Sequence, residues 1–300
     1  MNIIKHKAIF LSVSGVLVLV GVVALLGIGL KTGIDFNGGT LWQIKLTTNN
    51  SQITTDELGN FLRTNENIKN VSIFSASDNS VLIKLDNISE NDHQKYLGDL
   101  KSNFGAIEEL KFESIGPSIG SETKQKAYWA IVLVLLGISI YVAFAFRKVS
   151  YPISSWKYGV ITLISLFHDV LIAAGFFAIL GYFLKIEIDT NFVVALLVVM
   201  GFSVHDTIVV FDRIRENILI QRNKEEFSET VNRSIVQTLA RSINTTLTVV
   251  LVLLAMFLFG PAALKYFILT LLVGIIAGTY SSIFVASPLL TIWHKSGRVN

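Results

Sequence analysis

The chain has no cysteine among its 300 residues. That excludes disulfides, thiolate metal sites and cysteine nucleophiles, and it leaves the redox compartment unread. Proline is scarce, with four in the chain, so long helices can run uninterrupted. Charge is scarce too. Asp, Glu, Lys and Arg make up 16% of residues, against about 25% in soluble domains. Hydrophobic residues reach 52%, a membrane-class composition. The net charge of +3 is small and dispersed among loops, which leaves no footprint for nucleic acid. Catalytic signatures are missing as well: no GxxxxGK phosphate loop, no HExxH, and no nucleophile elbow is read. No enzymatic activity, cofactor or metal is expected, so energy for any work must come from a gradient or a partner.

What the chain does have is long apolar runs. The first, Ala8 to Leu30, follows a basic start at Lys5, His6 and Lys7. It exceeds the about 7–15 residues of a cleavable signal core and leads into Gly33-Ile34-Asp35 rather than a small-residue cleavage site. It is expected to be a retained span. Five more runs follow, near Ala127–Phe146, Tyr158–Phe183, Phe192–Phe211, Ile243–Phe259 and Phe267–Trp293. Each approaches or exceeds the roughly 20 residues a bilayer requires. The last is longer than one thickness and is expected to tilt or end near Pro288.

Lys and Arg set the orientation. With the N-terminus inside, the inner segments hold Lys5, Lys7, Arg147, Lys148, Lys157, Arg213, Arg215, Arg222, Lys224, Arg233, Arg241, Lys295 and Arg298, while the short outer loops hold Lys185 and Lys265. Both termini are then cytoplasmic. The reading divides the chain into 1–30 (N-terminus and first span), 31–124 (an extracytoplasmic domain) and 125–300 (five further spans, with a cytoplasmic loop at 212–241). That polar, helix-prone loop can lie along the membrane surface or act as a plain connector. In the outer segment, Leu41–Thr47 has strand character. Thr54-Thr55-Asp56-Glu57 fits a capping box opening a helix to about Thr64. Val71–Ser75 and Val81–Leu85 read as strands joined by the Ala76–Ser80 turn. Ser89 caps a helix to about Phe104, stopped by Gly105, and Ile107–Ile115 reads as a last strand. The order βαββαβ predicts a ferredoxin-like unit. The fold class expected is therefore a six-span α-helical membrane protein with a small α+β ferredoxin-like domain.

The residues that invite a function sit inside the spans. Gly201 to Asn217 reads GFSVHDTIVVFDRIREN and buries Asp206 in an apolar run, with Asp212, Arg213 and Arg215 marking the exit into water. An ionisable group at lipid depth is a functional-site hypothesis by default. Arg241, Asn244, Thr245 and Thr248 recur at i, i+3, i+4 and i+7, which share one helix face. Asp206 lies roughly 8 Å from the end of its span at 1.5 Å per residue, and an arginine at the end of the next span can bridge that gap. An Asp206–Arg241 pair that forms and breaks suits a proton relay; a static pair locking two helices is the alternative. His168-Asp169 repeats the order of His205-Asp206, so these groups are candidates for the relay, for structural roles or, less suitably, for metal. Asp212 and Arg213 form an interfacial motif. Outside, Gly33, Asp35, Phe36, Gly38 and Gly39 lie in a turn after the first span, and Ile115 to Gly120 is the matching hinge back to the second.

Three motifs carry a family resemblance: GIDFNGGT from Gly33, GFSVHDTIVVFDRIREN from Gly201, and TYSSIFVASP from Thr279 to Pro288. The Leu166–Val170 and Leu239–Ser242 segments look familial as well, and the resemblance extends over nearly the whole chain. They resemble the SecF branch of the SecD/SecF family, auxiliary membrane subunits of bacterial Sec protein export within the resistance-nodulation-division transporter group. GIDFNGGT alone would be shared with the sister branch, SecD; the small outer domain favours SecF. The resemblance implies a half-transporter that joins SecD to complete twelve spans, works alongside YajC and the SecYEG channel, and uses proton or sodium motive force to promote preprotein movement after SecA has pushed it across. It places the family's proton-path aspartate and arginine on Asp206 and Arg241. His205 departs from the Asn common in relatives. The rival readings are a small-molecule efflux transporter of the same broad fold, an intramembrane hydrolase using Asp206 and Asp169, and a pure scaffold.

Overall fold

The computed structural model describes residues 2–46, 55–64, 66, 68, 70–75, 80–147, 153–221 and 225–296. In chain order its elements are α1 (Lys7–Gly27), α2 (Ile34–Asn37), β1 (Gly39–Leu46), α3 (Thr55–Thr64), β2 (Val71–Ser75), β3 (Ser80–Leu85), α4 (Glu90–Phe104), β4 (Ile107–Ile115), α5 (Pro117–Ala145), α6 (Ser155–Leu184), α7 (Thr190–Gln221), α8 (Phe227–Phe259), α9 (Lys265–Ser281) and α10 (Ser287–Ser296). A π turn, Ser282–Ala286, joins α9 to α10. Two compact units result, 1–31 with 129–300, and 32–128.

The larger unit is the helical bundle. Six helical stretches are long and apolar enough to cross a membrane: Ile4–Gly27, Pro117–Ala145, Ser155–Leu184, Thr190–Ile220, Phe227–Phe259 and Ala262–His294. The last is the hub, with 67% of its apolar window buried, against 11% for α5. Large apolar side chains left exposed, such as Leu26, Leu133, Ile140 and Phe259, suit hydrocarbon rather than water. The last span continues through Pro288. Proline has no N–H to give an α-helical ladder, and the wider π turn lies just before it, with Ser287 Oγ donating to the Ser282 carbonyl at 3.0 Å.

The polar stretch 212–241, read as a surface-lying segment or a plain connector, is mostly continuous helix among its described residues. α7 runs on to Gln221 and α8 starts at Phe227, so most of the stretch extends two spans. The reason is a buried stripe, Ile214, Asn217, Phe227, Val231, Ser234 and Ile235, that packs the extensions on each other. Asn217 Nδ2 donates to Ser234 Oγ at 2.8 Å and to Gln237 Oε1 at 2.9 Å. Arg222 and Lys224 of this stretch, and Lys148 and Arg298 elsewhere, lie outside the described residues.

The smaller unit is a four-stranded antiparallel sheet in the order β2-β3-β1-β4. With α3 and α4 placed between strands it has the split βαβ topology read from the sequence. Trp42, Ile44 and Ile83 are fully buried on the sheet face that packs with Leu58 and Leu62 of α3 and Leu100 of α4. Ser89 Oγ caps α4 by accepting from the Asp92 N–H at 3.2 Å. The predicted cap Thr54, the turn residues 76–79 and Thr47 lie outside the described residues. A polar knot ties α4 to the sheet: His93 Nε2 lies 2.6 Å from Glu109 Oε2, and Trp42 Nε1 donates to the same oxygen at 2.9 Å. Hydrogen bonds from Gln94 and then His93 hold the Glu90 carboxyl below the usual range.

The two glycine-rich hinges meet inside this unit. Gly38 has φ 76° and ψ 173°, a region almost reserved for glycine. A Cβ there would stand 2.8 Å from the Pro117 Cα, and one on Gly120 would stand 2.7 Å from the Gly38 nitrogen. Both the conformation and the space therefore require Gly38. Gly38→Ala is expected to cost about 1–3 kcal/mol and to lower the thermal midpoint of the full chain. Gly98→Ala, whose added Cβ meets nothing within 4 Å, is the control that should not.

Candidate functional site

Two carboxylates are buried in the bundle, Asp169 on α6 and Asp206 on α7, 0% and 6% exposed. Hydroxyl groups surround both. Ser242 on α8 donates to Asp206 Oδ1 at 2.5 Å, and Ser282 donates to Oδ2 at 2.6 Å. Ser203 on α7 donates to Asp169 Oδ2 at 2.5 Å, and Ser281 on α9 donates to the same oxygen at 2.9 Å. Asp169 Oδ1 faces His168 Nδ1 at 2.8 Å, and His168 Nε2 faces Ser14 Oγ on α1 at 2.9 Å. In a neutral ring that donates from Nδ1 to the carboxylate, Nε2 accepts from Ser14. Ser281 and Ser282 are adjacent, so one dipeptide at the start of the π turn serves both acids.

Local geometry explains the convergence. Ser203 and Asp206 are three apart on α7 and share a face. α9 approaches that face through Gly274 and Gly278, a small-xxx-small pair that lets helices close in. A Cβ on Gly274 would lie 2.3 Å from Val199 Cγ2, and one on Gly278 2.8 Å from Ser203 Cβ. Thr246 on α8 and Thr279 on α9 are joined hydroxyl to hydroxyl at 2.6 Å.

The hydroxyl shell decides what the site can do. A buried carboxylate without partners is costly. A guanidinium partner only donates, and so it favours the anion. A serine hydroxyl can donate to a carboxylate or turn to accept from a carboxylic acid. The shell around Asp206 can therefore satisfy both protonation states without moving a helix far.

The structure brings together Asp206, Asp169 and His168. It does not bring Arg241 to Asp206, so the direct pair expected from side-chain reach is corrected. Arg241 is exposed and makes no ion pair among the described residues. Successive helical residues point about 100° apart, and it is Ser242 that turns toward α7. The stripe Arg241, Asn244, Thr245 and Thr248 is exposed, while Thr238, Ser242 and Thr246 form the buried face. His205 is exposed as well. The interfacial motif is a local ion-pair set: Asp212 Oδ1 lies 3.1 Å from Arg215 Nη2, Arg213 Nη1 lies 2.5 Å from Glu216 Oε2, and Arg213 Nε donates to Gln237 Oε1 at 2.7 Å. Gly33 precedes the short α2, which carries Asp35 and the buried Phe36, and Gly39 opens β1.

Sequence reading missed the serines: Ser14, Ser203, Ser242, Ser281 and Ser282. One available signal was the Gly274–Gly278 spacing. The reading that no nucleophile elbow is present also needs correcting as to the string, because Gly116 to Gly120 spells GxSxG across the first turn of α5. There Ser118 is exposed, its carbonyl accepts from Ser121 Oγ at 2.9 Å, and Gly120 is a packing position against Gly38. No histidine is bonded to Ser118 among the described residues. Nor, among them, do three or more His, Asp or Glu side chains gather as metal ligands.

Residues 96–296 match the family described as "Protein export membrane protein SecD/SecF, C-terminal". The chain is 45% identical to the protein translocase subunit SecF of Thermobaculum terrenum, over 98% of this chain and 94% of that protein. It is 38% identical to the SecF subunit of Anaerolinea thermophila, over 98% of this chain and 94% of that protein. Among solved structures, it resembles SecDF from Thermus thermophilus, described as a translocon-associated membrane protein, with a TM-score of 0.82 and 33% identity. That match covers 98% of this chain and 39% of the SecDF chain.

Proposed function

The chain belongs to the SecD/SecF family of protein-export membrane proteins, and from that premise we propose that it is a non-enzymatic, gradient-driven subunit of protein export in which Asp206 takes up and releases the coupling proton. The observation that carries the reading is the Asp206 environment: a buried acid held by Ser242 and Ser282, hydroxyls able to serve it charged or neutral. His168 and Asp169 form a second buried group behind it. Arg241 acts as a counter-ion toward the partner half rather than toward Asp206 in the resting chain. Arg241 stands at the inner end of its span, where a long side chain can reach toward the interface or a neighbouring subunit. Asn244, Thr245 and Thr248, further along α8 on the same stripe, are exposed too, as is His205 on α7, and polar surface at lipid depth requires cover. SecD is the complementary half that supplies the cover, in keeping with the 39% share of the SecDF chain that this one spans.

In this reading the assembly sits in the cytoplasmic membrane with both termini inside, as the Lys/Arg distribution favours. The α/β unit lies outside and handles unfolded preprotein. SecYEG, YajC and, indirectly, SecA are the remaining partners the family likeness brings. The test is export into vesicles carrying the chain with its SecD half, with proton and sodium gradients collapsed separately. Collapse of the proton gradient should return export to the level without a gradient, and collapse of the sodium gradient should leave it unchanged. Stimulation that survives both would overturn the reading.

A further inference from the structure

If Asp206 is the coupling acid, its change of state has to reach the first span, which leads by chain continuity into the α/β unit at Thr32. We infer that the line Ser282, Ser281, Asp169, His168, Ser14 makes that connection, with His168 and Ser14 as positioning residues that set where α1 sits. The inference rests on the reading of Asp206 above and goes beyond it.

The attachment of α1 is narrow. Its buried residues are Ser14, Gly21 and Ala24, one face at i, i+7 and i+10. Ser14 is held by His168. At Gly21 the helices meet backbone to backbone: a Cβ on Gly21 would lie 2.7 Å from the Leu171 carbonyl oxygen, and one on Gly175 would lie 2.3 Å from the Gly21 Cα. No compliant side-chain layer separates α1 from α6 there, so a shift of α6 is passed on rather than absorbed. The segment carrying the two serines also touches α1 directly. Tyr280 donates from its hydroxyl to the Phe10 carbonyl at 3.0 Å, and the Phe10 and Phe284 rings lie 4.4 Å apart.

Coupling needs an element with two settled arrangements. The serine pair has them. Ser282 Oγ is 2.6 Å from Asp206 Oδ2 and 3.0 Å from the Thr279 carbonyl. Ser281 Oγ is 2.9 Å from Asp169 Oδ2 and 3.0 Å from the Gly278 carbonyl. A hydroxyl has one proton, so each serine serves its acid or its own helix. When Asp206 becomes neutral, Ser282 can turn to Thr279 and accept from the acid. The π turn that follows is wide enough to take up the repacking. Its neighbour Ser281, backed by Ser165 Oγ at 3.0 Å, then changes its hold on Asp169, and His168 and Ser14 follow.

The experiment uses the full chain with its SecD half in vesicles. The absence of cysteine permits spin labels at Lys101→Cys on α4 and Leu219→Cys on α7, with their separation recorded with and without a proton gradient. Ser14→Ala and His168→Leu should each reduce gradient stimulation at least about threefold, the scale of one lost buried hydrogen bond. Each should abolish the gradient-dependent change in label separation, keep the separation without a gradient, and add nothing in an Asp206→Asn background. Ser14→Ala removes one oxygen and remains decisive if His168→Leu does not assemble. Full stimulation and full label movement in Ser14→Ala, with both lost in Asp206→Asn, would overturn the connection and leave the role of Asp206 standing. Retention of both in Asp206→Asn would remove the proposed function itself.

Discussion

Asp206→Asn is expected to abolish gradient-dependent export while the protein still folds and assembles. The two outcomes separate because of the serine shell. Asparagine is nearly isosteric with aspartate, and its amide oxygen can accept from Ser282 or Ser242. The hydroxyl at the amide nitrogen turns to accept instead of donate. Ser282 keeps an alternative acceptor in the Thr279 carbonyl at 3.0 Å. The change in folding stability should therefore stay within about 1 kcal/mol, the net worth of a single hydrogen bond. What asparagine cannot do is exchange a proton. Stimulation should fall to the level without a gradient, a loss of at least about tenfold if chemistry at this acid limits the cycle. Asp206→Ala is a harsher variant, since it leaves Ser242 and Ser282 facing a small cavity and should lose stability as well. Thermal unfolding of the assembled complex, measured beside export into vesicles, distinguishes the two. Normal stimulation in Asp206→Asn would end the account of this residue as the coupling acid.

The sequence was most legible where local rules act alone. The βαββαβ order could be read because each element of the α/β unit carries its own period, cap or stop, as Ser89 and Gly105 do for α4. The six spans could be read because length and apolarity suffice. Asp206 stood out because an acid in an apolar run breaks the pattern. Its partners did not, because serine in a membrane helix is unremarkable until a neighbour's acid is known to face it. Arg241 was chosen over Ser242 on charge and reach, yet helix phase decides which of two adjacent residues turns inward. The stripe at Arg241, Asn244, Thr245 and Thr248 was a sound periodicity assigned to the wrong neighbour: its residues are exposed, and Ser242 and Thr246 take the buried face. The extensions of α7 and α8 were missed for a similar reason, since their apolar stripe is short and punctuated by Asn217 and Ser234, which satisfy each other only once paired.

The second large effect is expected at Gly278, a position with no chemistry of its own. Gly278→Leu should lose both the folded assembly and the gradient response. A Cβ at Gly278 would stand 2.8 Å from the Ser203 Cβ and 3.2 Å from its Cα. No side-chain rotation of Ser203 moves its Cα or Cβ, and its hydroxyl is held by the 2.5 Å hydrogen bond to Asp169, so relief needs a backbone shift. The added side chain must push α9 off α7, and α9 ends at the serine pair that holds both acids. Overpacking of this kind costs about 1–3 kcal/mol before polar losses are counted. Here it also takes Ser282 from Asp206 and Ser281 from Asp169, leaving Ser242 alone on the first and Ser203 with His168 on the second. Gly137→Ala on α5 is the matched control. Its added Cβ meets nothing within 4 Å, and alanine in a helix interior is favoured over glycine by about 0.8–1.0 kcal/mol. The control should hold or raise the thermal midpoint and keep full stimulation. Should Gly278→Leu behave like Gly137→Ala, the tight α7–α9 seam would not be what positions Asp206 and Asp169.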